Sequence, residues 1–127
     1  MAAFNQIDIA LDPFPQGGGI TTLEGLLMGI PAITLRWPTI AGRISATILT
    51  TLDLTDWIAE SEDAYVALAV SKARDREALS VLRSTLRERF KRSVLGDAKA
   101  YVRIVETQYR ELWRAWVQQQ LVHDPGM

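Results

Sequence analysis

Residues 17–24 read Gly-Gly-Gly-Ile-Thr-Thr-Leu-Glu, three glycines followed within one helical turn by two hydroxyls and a carboxylate. Where such a loop opens a helix, the first backbone N–H groups lack intrahelical acceptors, and the aligned peptide dipoles add about half a positive charge. Glycines at 17, 18 and 19 permit positive φ and remove the Cβ atoms that would hold an anion away from those amides. A diphosphate suits such a place. Thr21 and Thr22 can add hydroxyl donors, and Glu24, one turn on, can accept hydrogen bonds from a ribose diol as acidic residues do in dinucleotide folds. The same residues also fit a capping box, in which Thr21 bonds the amide of Glu24 and Glu24 reaches back to that of Thr21. The spacing is neither GxGxxG with a distant acid nor GxxxxGK[ST] with its lysine, so the residues alone leave both readings open.

Composition narrows the remaining chemistry. Fourteen Lys and Arg against fifteen Asp and Glu give a net charge of −1, so no bulk field draws nucleic acid or an anionic membrane. The absence of cysteine removes disulfides, thiolate metal sites and a thiol nucleophile, and no metal or cofactor is expected. The single histidine, His123, lies in a polar tail and reads as a surface residue. No apolar run approaches the roughly 20 residues that span a bilayer, and MAAFNQIDIA has no basic leader. A soluble, cytoplasmic protein with neither nucleic-acid nor membrane partner is the expectation.

The loop needs elements to hold it. Ile7–Leu11 is short and apolar and stops at Asp12-Pro13, as a buried strand entering a loop does. From Thr21 a helix follows, with Leu23, Leu26 and Leu27 at spacings of three and four, stopped by Gly29 and Pro31. Pro31–Leu35 reads as a second buried strand, completing one βαβ unit and implying a parallel sheet with a right-handed crossover. Ile40, Ile44, Ile48 and Leu52 predict an amphipathic helix over Thr39–Leu52, and a brief extended segment is expected near Trp57-Ile58-Ala59. Ser61 is placed to cap a helix carrying Tyr65, Leu68 and Ala69. Asp75–Arg92 puts Leu79, Leu82, Leu86 and Phe90 on one face, and Asp97–Val122 puts Tyr101, Val105, Leu112 and Trp116 on another. The expected fold is α/β, a short parallel sheet followed by several helices. One partial α/β domain is expected over residues 1–127, with a βαβ part at 1–60 and a helical part at 61–122. A sheet of two or three strands cannot occupy so many helices, so this reads as the end of a larger α/β domain.

The stretch DIALDPFPQGGGITTLEGLLMGIPAIT, then RWPTIAGRISATIL, LDLTDWIAESEDAYVALAV and YRELWRAW, resembles in unbroken order the C-terminal part of the O-linked N-acetylglucosamine transferase family. That family includes animal enzymes, plant SPINDLY-type proteins and bacterial proteins with tetratricopeptide repeats. The resemblance runs from about Ile7 to Trp116 and implies the C-terminal portion of a GT-B nucleotide-sugar-binding domain. Gly18, Gly19, Thr21, Thr22, Glu24, Leu26, Met28, Gly29 and Pro31 fall on the family's loop pattern. It implies that Gly18, Gly19, Ile20, Thr21, Thr22 and Glu24 hold the nucleotide-sugar, the diphosphate chiefly on backbone amides and the Thr21 hydroxyl, the ribose on Glu24. Ile20 stands where threonine is usual and Gly19 where animal enzymes have histidine, so side-chain donors are lost there.

What the resemblance implies beyond the loop is a donor such as UDP-N-acetylglucosamine, a protein Ser or Thr acceptor and a facing Rossmann-like domain. The family's facing domain and phosphate-contacting lysine do not precede Met1, so the chain reads as a fragment or shortened relative that binds and does not catalyse alone. The other expectation is a non-catalytic binding or interaction module of the same fold, joined to a partner or to a second copy by its long aromatic helix. Arg43 matches a family arginine near the cleft, or is a surface arginine paired with a carboxylate. Trp37 lies just past the second strand and reads as a packing residue; Trp57, Trp113 and Trp116 lie on apolar stripes and read most simply as core, the last two open to partial exposure on the final helix.

Overall fold

The structure is a computed structural model, which describes Phe4 and residues 6–123. The chain divides into two compact units, Met1–Gly96 and Asp97–Met127. The first unit holds the sheet. Strands β1 (Ala10–Leu11), β2 (Ala32–Leu35) and β3 (Ile58–Ala59) lie side by side in that order. Both pairings are parallel, Ala10 opposite Ala32 and Thr34 opposite Ile58. Every residue of the central strand β2 is buried. Strand β1 is shorter than the expected Ile7–Leu11 because its partner begins only at Ala32. Ala10 N–H bonds the Pro31 carbonyl, and Pro31 itself has no N–H with which to extend the ladder.

Helix α1 (Ile20–Leu27) crosses from β1 to β2. Its stop is a Schellman turn: Gly29 at φ +80 sends its N–H to Leu26 O, and Ile30 N–H reaches Gly25 O. Helix α2 (Ile40–Thr51) starts at Thr39, whose Oγ1 accepts the Gly42 N–H at 3.1 Å. Only half of its expected stripe is buried: Ile48 and Leu52 lie in the core, while Ile40 is 89% exposed and Ile44 42%. Steps of four residues advance about 40° beyond a full turn, so a stripe of period four rotates off the core within three steps. The buried face instead runs through Gly42, Ser45, Ala46, Ile48 and Leu49.

Helix α3 (Glu62–Arg74) is capped by Ser61 and α4 (Arg76–Arg92) by Asp75, each side-chain oxygen accepting the amide three residues on. The core gathers Leu26, Ile33, Leu49, Leu52, Leu54, Trp57, Leu86 and Phe90, with Tyr65, Leu68, Leu79 and Leu82 packed on it. Thus α3 and α4 present the faces their spacing predicted. Lys72 lies 4.8 Å over the Trp57 ring and pairs with Asp56.

The second unit is helix α5 (Ala98–His123), 26 residues and about 39 Å long at 1.5 Å per residue. Asp97 caps it through the Ala100 amide. Trp113 and Trp116 are not core residues: they are 64% and 51% exposed and stack on each other at 5.2 Å. The side chains of Val122 and His123 lie outside the described residues. Among the described residues no helix is long and apolar enough to cross a membrane.

Candidate anion-binding loop

Strand β1 ends at Leu11, and residues 12–19 turn over the carboxyl edge of the sheet into α1. The N-cap is Gly19, at φ 57 and ψ −101, a conformation that side chains resist. Leu23 N–H makes the first helical bond, to Gly19 O at 3.0 Å. The amides of Gly19, Ile20, Thr21 and Thr22 therefore have no acceptor among the described residues. Gly18 differs, donating its N–H inward to Asp12 Oδ1 at 2.8 Å.

The capping box is not formed. The helix begins at Ile20, so Thr21 is inside the first turn rather than at its cap, and its hydroxyl donates to Gly18 O at 3.1 Å. Thr22 is buried, and its hydroxyl donates to Asp12 Oδ1 at 3.2 Å and meets Ser45 Oγ at 3.1 Å. Both hydroxyl protons are thus engaged within the protein, and what Thr22 offers a ligand is its amide. Ile20 is 73% exposed, and Glu24, four residues on, shares its outer face, its side chain making no hydrogen bond or ion pair among the described residues.

Asp12 is the residue that sequence reasoning missed. It is only 5% exposed, yet it accepts three hydrogen bonds: from Gly18 N–H, from the Thr22 hydroxyl, and from the Thr34 hydroxyl at 2.7 Å. Its carbonyl accepts the Tyr65 hydroxyl at 3.0 Å. Burial, and then the charge of Asp12, push the Tyr65 phenol above its ordinary value. The available signal was position, an acidic residue one place past a buried strand, where loops of α/β sheets converge.

An aromatic trio fastens the rest of the loop. Phe14 stacks on Trp37 at 6.2 Å and meets Tyr65 edge-on at 5.4 Å, so Trp37 acts in packing. Gly42 makes room for this: a Cβ there would stand 2.4 Å from Trp37 Cβ and 2.5 Å from Pro15 O. Arg43 is exposed, and its Nε donates to Trp37 O at 3.4 Å; it meets no carboxylate among the described residues. A groove of about 1090 Å³ lies at the other end of the strands, between Asp8, Met28 and Arg83. It is an open surface feature and brings none of the loop residues together.

A parallel sheet with a glycine loop at its carboxyl edge, opening directly into a helix, is the arrangement of Rossmann-like α/β folds. The chain belongs to glycosyl transferase family 41, whose sequence profile matches residues 4–105. It is 42% identical over 116 residues to the probable UDP-N-acetylglucosamine–peptide N-acetylglucosaminyltransferase SPINDLY of Eustoma exaltatum subsp. russellianum, covering 91% of this chain and 13% of that protein. The Arabidopsis thaliana protein of the same description is 36% identical, with the same two coverages. A variant of Thermobaculum terrenum O-GlcNAc transferase superposes with a TM-score of 0.81 at 31% identity, over 94% of this chain and 23% of that one. The fold is therefore that of the GT-B transferase domain, and the chain spans about an eighth of the length of its plant relatives.

Proposed function

We propose that this chain is the nucleotide-sugar-binding part of a glycosyltransferase resembling protein O-GlcNAc transferase. The observation that carries the reading is the run of four amides, Gly19 to Thr22, without an acceptor among the described residues at the positive end of α1, on a loop tied to Asp12 through Gly18. In this reading the amides take the diphosphate of UDP-N-acetylglucosamine or a related donor, and Glu24 takes the ribose. As the bond from the anomeric carbon to the diphosphate breaks, charge grows on the leaving phosphate, and fixed N–H dipoles there favour the transition state over the ground state. The sugar goes with inversion, without a metal, to a protein Ser or Thr hydroxyl. A facing Rossmann-like domain completes the site in a cytoplasmic full-length enzyme. The exposed Trp113 and Trp116 pair favours a second reading, an interaction module that joins a partner through α5.

Calorimetric titration of the 127-residue chain with UDP, UDP-N-acetylglucosamine and GDP-fucose separates the two. The first reading expects a dissociation constant of about 1 mM or tighter for at least one of them, weakened about tenfold by Thr21→Ala with Glu24→Ala. No heat from any nucleotide, or an affinity indifferent to the double substitution, contradicts it.

A further inference from the structure

Asp12 is the buried carboxylate among the described residues, and its acceptors meet only neutral donors: one amide and two hydroxyls. Next to a site for a diphosphate its charge opposes the ligand, so its contribution there is not attraction. What it supplies is hydrogen-bond acceptors aimed at the loop. We propose that Asp12 is the positioning residue of the diphosphate site: by drawing the Gly18 N–H inward it turns the following four amides outward as one set. This rests on the reading of the loop given above.

Three observations carry it. The Gly18 N–H bonded to Asp12 and the four amides without an acceptor among the described residues adjoin, with the positive φ of Gly19 at the junction. The loop also lies directly on the carboxylate. A Cβ at Gly17 would stand 2.9 Å from both Asp12 Oδ2 and Ser45 Oγ, and one at Gly18 would stand 2.5 Å from Thr21 Oγ1, 3.0 Å from Thr22 Oγ1 and 3.1 Å from Asp12 Oδ1, so both glycines are needed by Asp12 together with the hydroxyls around it. Finally, the protons have one consistent direction. A carboxylate only accepts, so Thr22 donates to Asp12, and Ser45 must then donate to Thr22. That chain ties the first turn of α1 to α2, while Thr34 holds the second carboxylate oxygen on β2. A loop preformed in this way binds its ligand without an ordering cost.

The test measures UDP affinity, melting temperature and amide hydrogen exchange on the 127-residue chain. Asp12→Ala is expected to weaken UDP about tenfold or more, whereas Asp12→Asn stays within about threefold, since one oxygen still accepts from Gly18 and Thr22 while its amide faces Thr34. Thr22→Val should weaken UDP like Asp12→Ala and Thr22→Ser restore it; this pair decides the matter if Asp12→Ala does not fold. Leu86→Ala, in the core on α4, should lower the melting temperature and leave UDP affinity within about twofold. If Leu86→Ala weakens UDP as much as Asp12→Ala, or the folded Asp12→Ala and Thr22→Val variants bind like the wild type, the assignment is overturned. Should the wild type bind no UDP, the reading of the loop fails and exchange still judges Asp12. Gly18 protected in the wild type and unprotected in Asp12→Ala supports it; Gly18 exchanging freely in the wild type overturns it.

Discussion

Gly19→Ala isolates the backbone conformation that aims the amides. At φ 57 and ψ −101 an L residue is strained, while space is not the obstacle, since the nearest atom to an added Cβ is Ile44 Cγ2 at 3.7 Å. Holding a side chain in such a region costs about 1–3 kcal/mol, offset by up to about 1 kcal/mol because alanine stiffens the unfolded chain. A net loss of up to about 3 kcal/mol follows, and each kcal/mol lowers the melting temperature of a domain of this size by about 4–8 °C. The strain is relieved by rotating the Gly19–Ile20 peptide, which takes the Ile20 N–H out of the outward set. Losing one hydrogen bond to a charged group, about 1.5–3 kcal/mol, weakens UDP by about tenfold or more. Gly29→Ala is the control, because Gly29 also has positive φ, at +80, but closes the far end of α1, where an added Cβ would in addition stand 3.1 Å from the Arg83 carbonyl oxygen. It should lose at least as much stability in the same thermal melt and keep its UDP affinity in the same titration. If Gly19→Ala melts and binds like the wild type, the loop does not work through the conformation of Gly19.

Three further outcomes follow from the packing. Gly42→Ala drives a Cβ into Trp37 and the Pro15 carbonyl, so it should lose about 1–3 kcal/mol by urea denaturation and loosen the Phe14 stack, read by near-UV circular dichroism. Leu86→Ala empties a fully buried core position on α4, the helix packed on α1 and α3, and should lose about 2–5 kcal/mol in the same assay. Tyr65→Phe leaves the Asp12 carbonyl without its donor, for a loss of about 0.5–1.5 kcal/mol at neutral pH. Its pH dependence has a definite sign. The folded phenol holds its proton above its ordinary value of about 10, so in alkali the unfolded chain binds fewer protons than the folded one and stability falls as pH rises. That contribution is whole below about pH 10 and lost as pH climbs through the folded value, and urea midpoints should show a shallower alkaline decline in Tyr65→Phe.

Local signals made most of the elements legible. Ser61 and Asp75 were readable as helix starts because a cap needs only the three residues after it, and the Gly29-Ile30-Pro31 stop has the same local logic. The stripes of α3 and α4 were readable because their spacings mix three and four. The uniform fours of α2 put Ile40 and Ile44 on the wrong face, since only the neighbouring elements decide where a drifting stripe is buried. The shortness of β1 depends on Pro31, a residue of its partner strand. For the loop, residue types gave its place and its glycines, but not which chemistry its hydroxyls served. A helix beginning one residue before Thr21 was enough to dissolve the capping box. Asp12 was illegible because its partners Thr34 and Tyr65 lie 22 and 53 residues away, and only the fold brings them to one carboxylate.

The central claim is that the amides from Gly19 to Thr22 are where a nucleoside diphosphate binds. Two-dimensional amide NMR of the 127-residue chain, titrated with UDP to several times about 1 mM, observes those N–H groups one by one. The account predicts that the amide signals of Gly19, Ile20, Thr21 and Thr22 shift together along a single saturation curve, joined by Glu24, while core amides such as Leu49 and Leu86 stay in place. Shifts confined to another surface, or none at saturating nucleotide, would contradict it.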